Sequence, residues 1–439
     1  MRRSMRCWGW LSRIIPQAAR VGPALAVILT LVAAGVQPAA AGTYKVLHYF
    51  TDQVGNPYGA VRQKSGTFYG YAPGGNTNCG PYLTSCGIVF ELDKTGKVAV
   101  LYSFTGGSDG AGPSGSLIED EKSNLYGTTI YGGGGPCKVE QTVMGCGTVF
   151  KLSPPKEKGG AWTETVLHSF QASDGAWPYA GLARDAVGNL YGATTFGGGR
   201  GTDCGSLGCG TIFRLDAANR ETVLYRFSDG TDGGRPMGGL VLVTAGNLYG
   251  VANSGGDPQG CGGGCGVVFK VGKSGKETVL HSFTGTNGDG QQPEGVTLVR
   301  DSAGNLYGTT PYGGTPVNGS TFGTVFKVSA KGKETVLYSF QGFLDGGYPL
   351  MGLLRDAEGN LYGIAYDFGK FQYYGTLFEV KRTGKFATLH SFNQQDGYSS
   401  GSPLFMDATG NLYGVLGDGG DYQDFCEGYG CGTVFKFTP

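Results

Sequence analysis

Charge is scarce in this sequence. Only 15% of its 439 residues are Asp, Glu, Lys or Arg, and the 34 basic and 34 acidic side chains cancel. Without a basic excess there is no electrostatic footprint for nucleic acid or an anionic membrane surface. Low charge together with 12% aromatic residues argues against a disordered, collagenous or coiled-coil protein. Histidine is rarer still, with four in the whole chain. After the first 41 residues no run is apolar enough to cross a bilayer, and the chain ends on Phe437-Thr438-Pro439.

The first 41 residues differ from the rest. They hold five Arg and no acid, an apolar run from about Val21 to Val36 interrupted by Gly22 and Pro23, and Ala39-Ala40-Ala41 before Gly42. That is the layout of a cleaved signal peptide, with cleavage expected after Ala41. The expected organisation is therefore a signal peptide over 1–41 and one domain over 42–439, exported to the periplasm or beyond. No stable membrane insertion is expected after cleavage, and a monomer is expected.

Everything after Gly42 is repetitive. Four phrases recur in fixed order, with a period of about 57 residues. A β-branched and aromatic phrase such as Val166-Leu167-His168-Ser169-Phe170 ends on Phe50, Phe104, Phe170, Phe227, Phe283, Phe340 and Phe392. A Gly-Leu-x-x-Asp phrase follows, then Gly-Asn-Leu-Tyr-Gly, then Gly-Thr-Val-Phe-Lys, whose Phe falls at 90, 150, 213, 269, 326, 378 and 435. Each phrase is short, rich in Val, Leu, Tyr and Phe and bounded by turn residues, so each reads as one strand. Asp185 to Asn189 and Lys273 to Lys276 read as tight hairpins, whereas the other two connections are longer and Gly-rich. In an up-and-down sheet the long connections share one end, where function on loops would sit.

Seven four-stranded units predict an all-β, seven-bladed β-propeller of antiparallel blades. The chain opens on a lone first phrase and stops after a fourth, so the N-terminal strand should complete the last blade and close the ring, hiding two sheet edges.

The repeat also disciplines the residues that invite catalytic readings. His48, His168, His281 and His390 occupy the place where other repeats carry Tyr102, Tyr225 and Tyr338, so they are one structural position on separate blades. That removes a shared general base or zinc site. Ten cysteines form local pairs before Gly-Thr-Val-Phe: Cys79 with Cys86, Cys137 with Cys146, Cys204 with Cys209, Cys261 with Cys265, and Cys426 with Cys431. Repeats five and six lack both members, with Phe322 and Tyr374 where the second Cys would stand. Gain and loss in twos is the behaviour of disulfides in an exported chain. Asp52, Asp109, Asp174, Asp232, Asp289, Asp345 and Asp396 recur after the first phrase and read as turn devices first, with ligand or calcium contacts as the rival. Asp109, Asp174 and Asp289 are kept as candidate ligand residues. Asp418, Asp421 and Asp424 are peculiar to the last repeat but match no calcium loop. Tyr131, Phe196 and Tyr312, with Tyr366 and Phe368 less regularly, close the third phrase near the long-loop end, where rings could stack on sugars or pack between blades. No catalytic residue, metal ligand or cofactor is expected.

The phrases Asp-x-x-Gly-Asn-Leu-Tyr-Gly, Gly-Thr-Val-Phe-Lys and Glu-Thr-Val-Leu-His-Ser-Phe resemble the tandem Gloeobacter and Verrucomicrobia repeat of exported bacterial proteins, across Gly42 to Pro439. The resemblance implies export and tandem β structure. Family members often carry a surface-sorting tail, and none is visible here.

Near-uniform repeats favour an extracytoplasmic binding module that presents its long-loop face to a polysaccharide or a cell-surface protein. A second reading is a carbohydrate-active hydrolase or lyase at the central channel, for which the acids and bases to inspect are Glu119, Asp120, Glu294, Arg184, Arg300 and Arg355. A third is a structural envelope protein.

Overall fold

The seven Phe residues that end the first phrase and the seven that lie in Gly-Thr-Val-Phe-Lys form the frame of the molecule. All fourteen are at most 2% exposed, and they meet across blade boundaries. Phe104 packs edge-on against Phe150 with ring centroids 5.1 Å apart, and Phe170 on Phe213, Phe227 on Phe269, and Phe283 on Phe326 repeat that distance. Phe340 on Phe378 at 5.2 Å, Phe392 on Phe435 at 5.6 Å and Phe50 on Phe90 at 5.3 Å complete the circle. Each such pair adds about 0.5–1.5 kcal/mol beyond the burial of its rings. The glycine ending Gly-Asn-Leu-Tyr-Gly leaves room for them: a Cβ on Gly192 would lie 2.4 Å from Phe213 Cζ.

The computed structural model describes residues 42–439 except 52–53, 63–65, 75–78, 80–82, 84, 140, 158, 200–203, 205–206, 259, 372, 401 and 421–429. The expected signal peptide, Asp52, Asp421, Asp424 and Cys426 lie outside the described residues. The seven sheets are antiparallel and run in sequence order. Blade 3, for example, pairs Ala183–Arg184, Leu190–Thr194, Thr211–Leu215 and Glu221–Arg226 as neighbours. In blade 7 the N-terminal strand Thr43–Tyr49 pairs antiparallel with Thr433–Thr438, from Thr43 opposite Thr438 to Tyr49 opposite Thr433. The ring is therefore closed by the two ends of the chain, and the expected propeller is the fold.

Every blade carries a register shift between its last two strands, beside the Gly-Thr-Val-Phe phenylalanine, as between Val149 and Phe150. A bulge there raises the local twist of the outer strand. The turn between the first two strands is fixed by Asp: Asp185 accepts from Asn189 N at 2.8 Å, Asn189 Nδ2 at 2.7 Å, Val187 N at 3.1 Å and Tyr191 Oη at 3.2 Å. Gly188 takes the left-handed position of that turn, φ 95°. Tight turns lie at this end, and both long connections of every blade lie at the other.

Around the axis the first strands of adjacent blades touch backbone to backbone. A Cβ on Gly115 would lie 2.2 Å from Gly181 N, and one on Gly238 would lie 2.0 Å from Val296 O. Ser114 Oγ of blade 2 donates to Tyr179 O of blade 3 at 2.9 Å. Among the described residues no helix is long and apolar enough to cross a membrane.

Candidate binding face at the axial mouth

Two kinds of polar cluster occur, one repeated at the periphery and one not repeated at the axis. At the periphery the two recurrent positions read from the sequence bond to each other. His168 Nε2 meets Asp174 at 3.0 Å, His281 meets Asp289 at 3.3 Å and His390 meets Asp396 at 2.8 Å. Where Tyr replaces His, its hydroxyl donates to the same Asp: Tyr102 to Asp109 at 3.1 Å, Tyr225 to Asp232 at 2.9 Å, Tyr338 to Asp345 at 2.8 Å. Asp109 is 8% exposed and also accepts from Thr105 N and Thr105 Oγ1. Asp109, Asp174 and Asp289 thus anchor their own turns, accepting from Thr105 N, Gln171 N and Thr284 N.

The following blade brings a Glu against these acids. Burial, and then the facing Asp109, Asp174, Asp232 or Asp289, pushes Glu164, Glu221, Glu277 and Glu334 each up to about 7. Each of the four keeps one buried carboxyl oxygen, Oε1, without a hydrogen-bond partner. The ligand atoms of His281, Asp289 and Glu334 lie within 4.8 Å of one another, close enough for a metal. Blades with Tyr in place of His make the same Asp contact by hydrogen bonding alone, so this geometry is accounted for without one. Cys204 and Cys209, which cluster with Asp229, are bonded to each other.

Four of the five expected disulfides lie wholly among the described residues: Cys79 with Cys86, Cys137 with Cys146, Cys204 with Cys209 and Cys261 with Cys265. Cys431 is also disulfide-bonded. These bonds point to an oxidising compartment.

The axial mouth is built differently. At the entry to the first strand each blade places one residue in the left-handed region, followed by proline in six blades and by Ser400 in the seventh: Asn56, Trp177, Arg235, Gln292, Tyr348 and Ser399 with φ between 52° and 56°, and Gly112 at 64°. The backbone explains the recurrence, because that N–H reaches into the preceding blade. Trp177 N donates to Cys146 O at 2.9 Å, Arg235 N to Cys209 O at 2.8 Å and Tyr348 N to Phe322 O at 2.9 Å. A left-handed residue with a side chain costs on the order of 1–3 kcal/mol. Glycine would meet the backbone requirement at little cost, yet six blades carry six different side chains there.

The two halves of the mouth are unlike. In blades 2 to 4 the groups satisfy one another. Trp177 is held between Tyr131 (6.2 Å) and Phe196 (5.2 Å), and its Nε1 donates to Gly145 O at 3.2 Å. Arg235 pairs with Asp229 at 3.9 Å, and Ser254 Oγ donates to the same carboxylate. Tyr131 is 8% exposed, so the stacking role considered for it fails: interblade packing encloses its ring. Phe196 is half-buried against Trp177 in the same way.

In blades 5 and 6, where cysteines are lacking, aromatic rings take their place. Phe322 lies 5.1 Å from Phe368 and 5.9 Å from Tyr348, which is 5.7 Å from Tyr312. Tyr312 is half-buried in this cluster. The two loops of blade 6 are joined by Gly347 N to Asp367 O at 2.9 Å and Gly369 N to Phe343 O at 2.8 Å. Together they present Phe343 (57% exposed), Leu344 (66%), Tyr366 (41%), Phe371 (46%) and Tyr373 (72%) to solvent. These are five of the ten strongly exposed large hydrophobic residues described, gathered on one blade.

Glu294 and Asp367 have no ion pair among the described residues. Burial pushes the Glu294 carboxyl up, and also that of Asp367, although Phe368 N donates to the latter at 2.6 Å. Burial, then Glu294 and Tyr348, raise the Tyr312 phenol; burial, then Asp367, raise that of Tyr348. Asp418 accepts from Asn56 Nδ2 at 2.7 Å. Of the six acids and bases singled out for the channel, Glu294 alone reaches the mouth. Asp120 is a turn anchor bonded to Asn124 and Tyr126. Glu119 pairs with Leu125 beside that turn, and Arg184, Arg300 and Arg355 lie over Tyr126, Tyr249 and Tyr307. Trp177, Tyr348, Phe371 and Tyr373 were not singled out in the sequence.

Solved structures share the fold at low identity. Virginiamycin B lyase from Staphylococcus aureus, solved in a catalytically inactive form with quinupristin, is 12% identical over 91% of this chain and 99% of its own, with a TM-score of 0.53. A putative gluconolactonase (12% identical, 92% and 94% covered, TM-score 0.40) and the aldose sugar dehydrogenase of Streptomyces coelicolor with bound PQQ (15%, 92% and 99%, 0.41) are more distant in shape. No curated protein matches the sequence. The Gloeobacter/Verrucomicrobia repeat family matches over residues 35–263 and again over 258–439, and with a propeller built of seven such repeats the chain belongs to that family.

Proposed function

We propose that this protein is an exported binding module that holds a polysaccharide on the long-loop face of blade 6, beside the axial mouth. The observation that carries this reading is the exposed set Tyr366, Phe371 and Tyr373 with Phe343 and Leu344. Monomeric surfaces rarely gather large apolar side chains in one place without a binding role. Tyrosine rings flanked by carboxylates and the Ser399 hydroxyl offer both a stacking face and hydrogen-bond partners to a sugar ring. The disulfides support export, and an N-terminus beginning at Gly42 in the secreted product would establish the cleavage.

The test is retention of the purified protein on insoluble polysaccharides, with reducing ends and unsaturated products measured in parallel. Retention that the Tyr366→Ala, Tyr373→Ala double variant loses supports the module. New products would instead make Glu294 and Asp367 candidates for a hydrolase or lyase. Retention that the double variant keeps would move the site elsewhere.

A further inference from the structure

The seams differ in what stands beside their acids. A Glu from the next blade meets a Tyr–Asp pair at two seams and a His–Asp pair at two others, His168–Asp174 with Glu221 and His281–Asp289 with Glu334. A neutral phenol is a poor metal ligand and an imidazole nitrogen is a good one. The two His seams are themselves unlike. Between blades 2 and 3 a cation is supplied by the chain: Arg226 Nη2 donates to Ser173 O at 3.3 Å, next to Asp174. Between blades 4 and 5 the equivalent residue is Ser339, which stands opposite Thr324 as Arg226 stands opposite Thr211. Ser339 Oγ accepts from Thr315 N at 2.7 Å, and the groove of about 510 Å³ that opens there has His281, Asp289 and Glu334 on its wall and no Lys or Arg.

The ligand atoms of these three residues lie within 4.8 Å of one another, the one such gathering of a His with two carboxylates among the described residues. His281 Nε2 is 3.3 Å from Asp289 Oδ1, the longest of the three His–Asp contacts. Two ligand atoms on a tetrahedral ion with bonds of about 2.0 Å are also about 3.3 Å apart. Thr284 N, Thr284 Oγ1 and Gly290 N fix the Asp289 carboxylate at 2.8, 3.0 and 2.7 Å, the outer support that orients a metal ligand. Glu334 Oε1 is buried with no hydrogen-bond partner. Hydrogen bonding explains how His281 meets Asp289, as it does where Tyr replaces His, but it leaves this oxygen without a partner and two carboxylates without a cation. The other three seam Glu residues share the orphan oxygen, and among the described residues only Glu334 has an imidazole, a second carboxylate and an open groove close beside it.

We infer that His281, Asp289 and Glu334 form a binding site for one divalent transition-metal ion, zinc foremost, across the seam of blades 4 and 5. One imidazole with two carboxylates suits Zn²⁺ better than Ca²⁺ or Mg²⁺, which take oxygen ligands. That the four histidines sit on separate blades is no obstacle, because one suffices when carboxylates complete the set. With Nε2 on the ion, the imidazole keeps its proton on Nδ1. Three protein ligands leave a fourth position facing the groove for water. The site lies on a different seam from the blade 6 face and is independent of the glycan reading.

The experiment is titration calorimetry of zinc chloride into the tag-free secreted chain after dialysis against a chelator, with the melting temperature read alongside. One zinc per chain is expected, with a Kd of about 10 μM or tighter and a higher melting temperature in its presence. His281→Tyr installs the residue that blades 1, 3 and 5 carry, so it keeps the Asp289 hydrogen bond. It should weaken zinc binding by more than about 100-fold, beyond the cost of changes outside the ligands themselves, and Glu334→Gln should weaken it at least about tenfold. His168→Tyr, at the seam that has Arg226, should leave binding unchanged. No zinc binding by the native chain, or binding that survives His281→Tyr, would overturn the inference. If His281→Tyr fails to fold, undiminished binding by Glu334→Gln overturns it. An equal loss in His168→Tyr would overturn the assignment to this seam, and displacement of zinc by millimolar Ca²⁺ or Mg²⁺ would show a site of oxygens alone and remove the imidazole from it.

Discussion

The seams between blades and the mouth over the axis are made from the same repeat, yet they follow opposite rules. At a seam the residues recur: a Phe pair about 5 Å apart, a His or Tyr bonded to an Asp and, at four seams, a Glu from the next blade. At the mouth the backbone recurs but the side chain does not, as Asn56, Gly112, Trp177, Arg235, Gln292, Tyr348 and Ser399 show. Recurrence follows from the common task of joining one blade to the next. Variation is permitted only where no neighbouring blade dictates the side chain, and there a ligand can be read.

The largest effect should come from breaking a seam. Phe213→Ala removes a ring that is fully buried between blades and should cost about 3–5 kcal/mol in denaturant unfolding. Phe326→Ala should cost the same within about 1 kcal/mol. A large disparity between these equivalent sites would break the comparison.

The loop disulfides come next. Replacing Cys137 and Cys146 by Ser should lower stability by about 2 kcal/mol by freeing the loop in the unfolded chain. Blades 5 and 6, which use Phe322, Phe368 and Tyr348 instead, should be indifferent to reducing agent. Proteolysis of reduced protein should therefore cut the loops of blades 2 to 4 before that of blade 6.

The acid pairs sharpen the comparison through pH. Glu164, Glu221, Glu277 and Glu334 hold their protons up to about 7, above the value near 4.5 expected when unfolded. Their contribution is therefore present below the unfolded value and is lost as pH rises through about 7. Asp185 behaves oppositely: burial pushes it up, but the donors Asn189, Tyr191 and Val187 outweigh burial and hold it below its usual value, so that contribution is lost on acidification. The melting temperature should fall between pH 5 and 8 in the native protein. Replacing all four Glu by Gln should flatten that decline, and an unchanged slope would show that the seams do not titrate.

The smallest effect on folding belongs to the mouth. Tyr366→Ala with Tyr373→Ala should change stability by less than about 0.5 kcal/mol per site, because both rings are exposed. The same variant should lose polysaccharide retention. A variant that loses both together would place these rings in the frame rather than the face.

Much of this is legible in the sequence. Phe at a fixed place in seven repeats is a core position whatever the details, and His exchanging with Tyr at one place marked a shared hydrogen-bonding role. The pairing of those residues with Asp109, Asp174 or Asp289 was not legible, because six to eight residues and a turn separate the partners. Nor was the burial of Tyr131, which depends on where Trp177 of the next blade falls. Tyr348, Phe371 and Tyr373 looked like loop composition, since a residue that differs in every repeat gives no pattern to read.

The sequence by itself determined the number of blades, the strand order, the closure of the ring by Thr43–Tyr49 and the pairing of cysteines. These follow from periodicity and local spacing, which a chain carries with it. Only the tertiary structure decided which rings are enclosed and which are presented, and that Glu294 among the suspected channel acids has no ion pair among the described residues. Exposure and charge compensation depend on what the neighbouring blade places alongside, and the chain reaches that neighbour only after it has turned through a whole repeat.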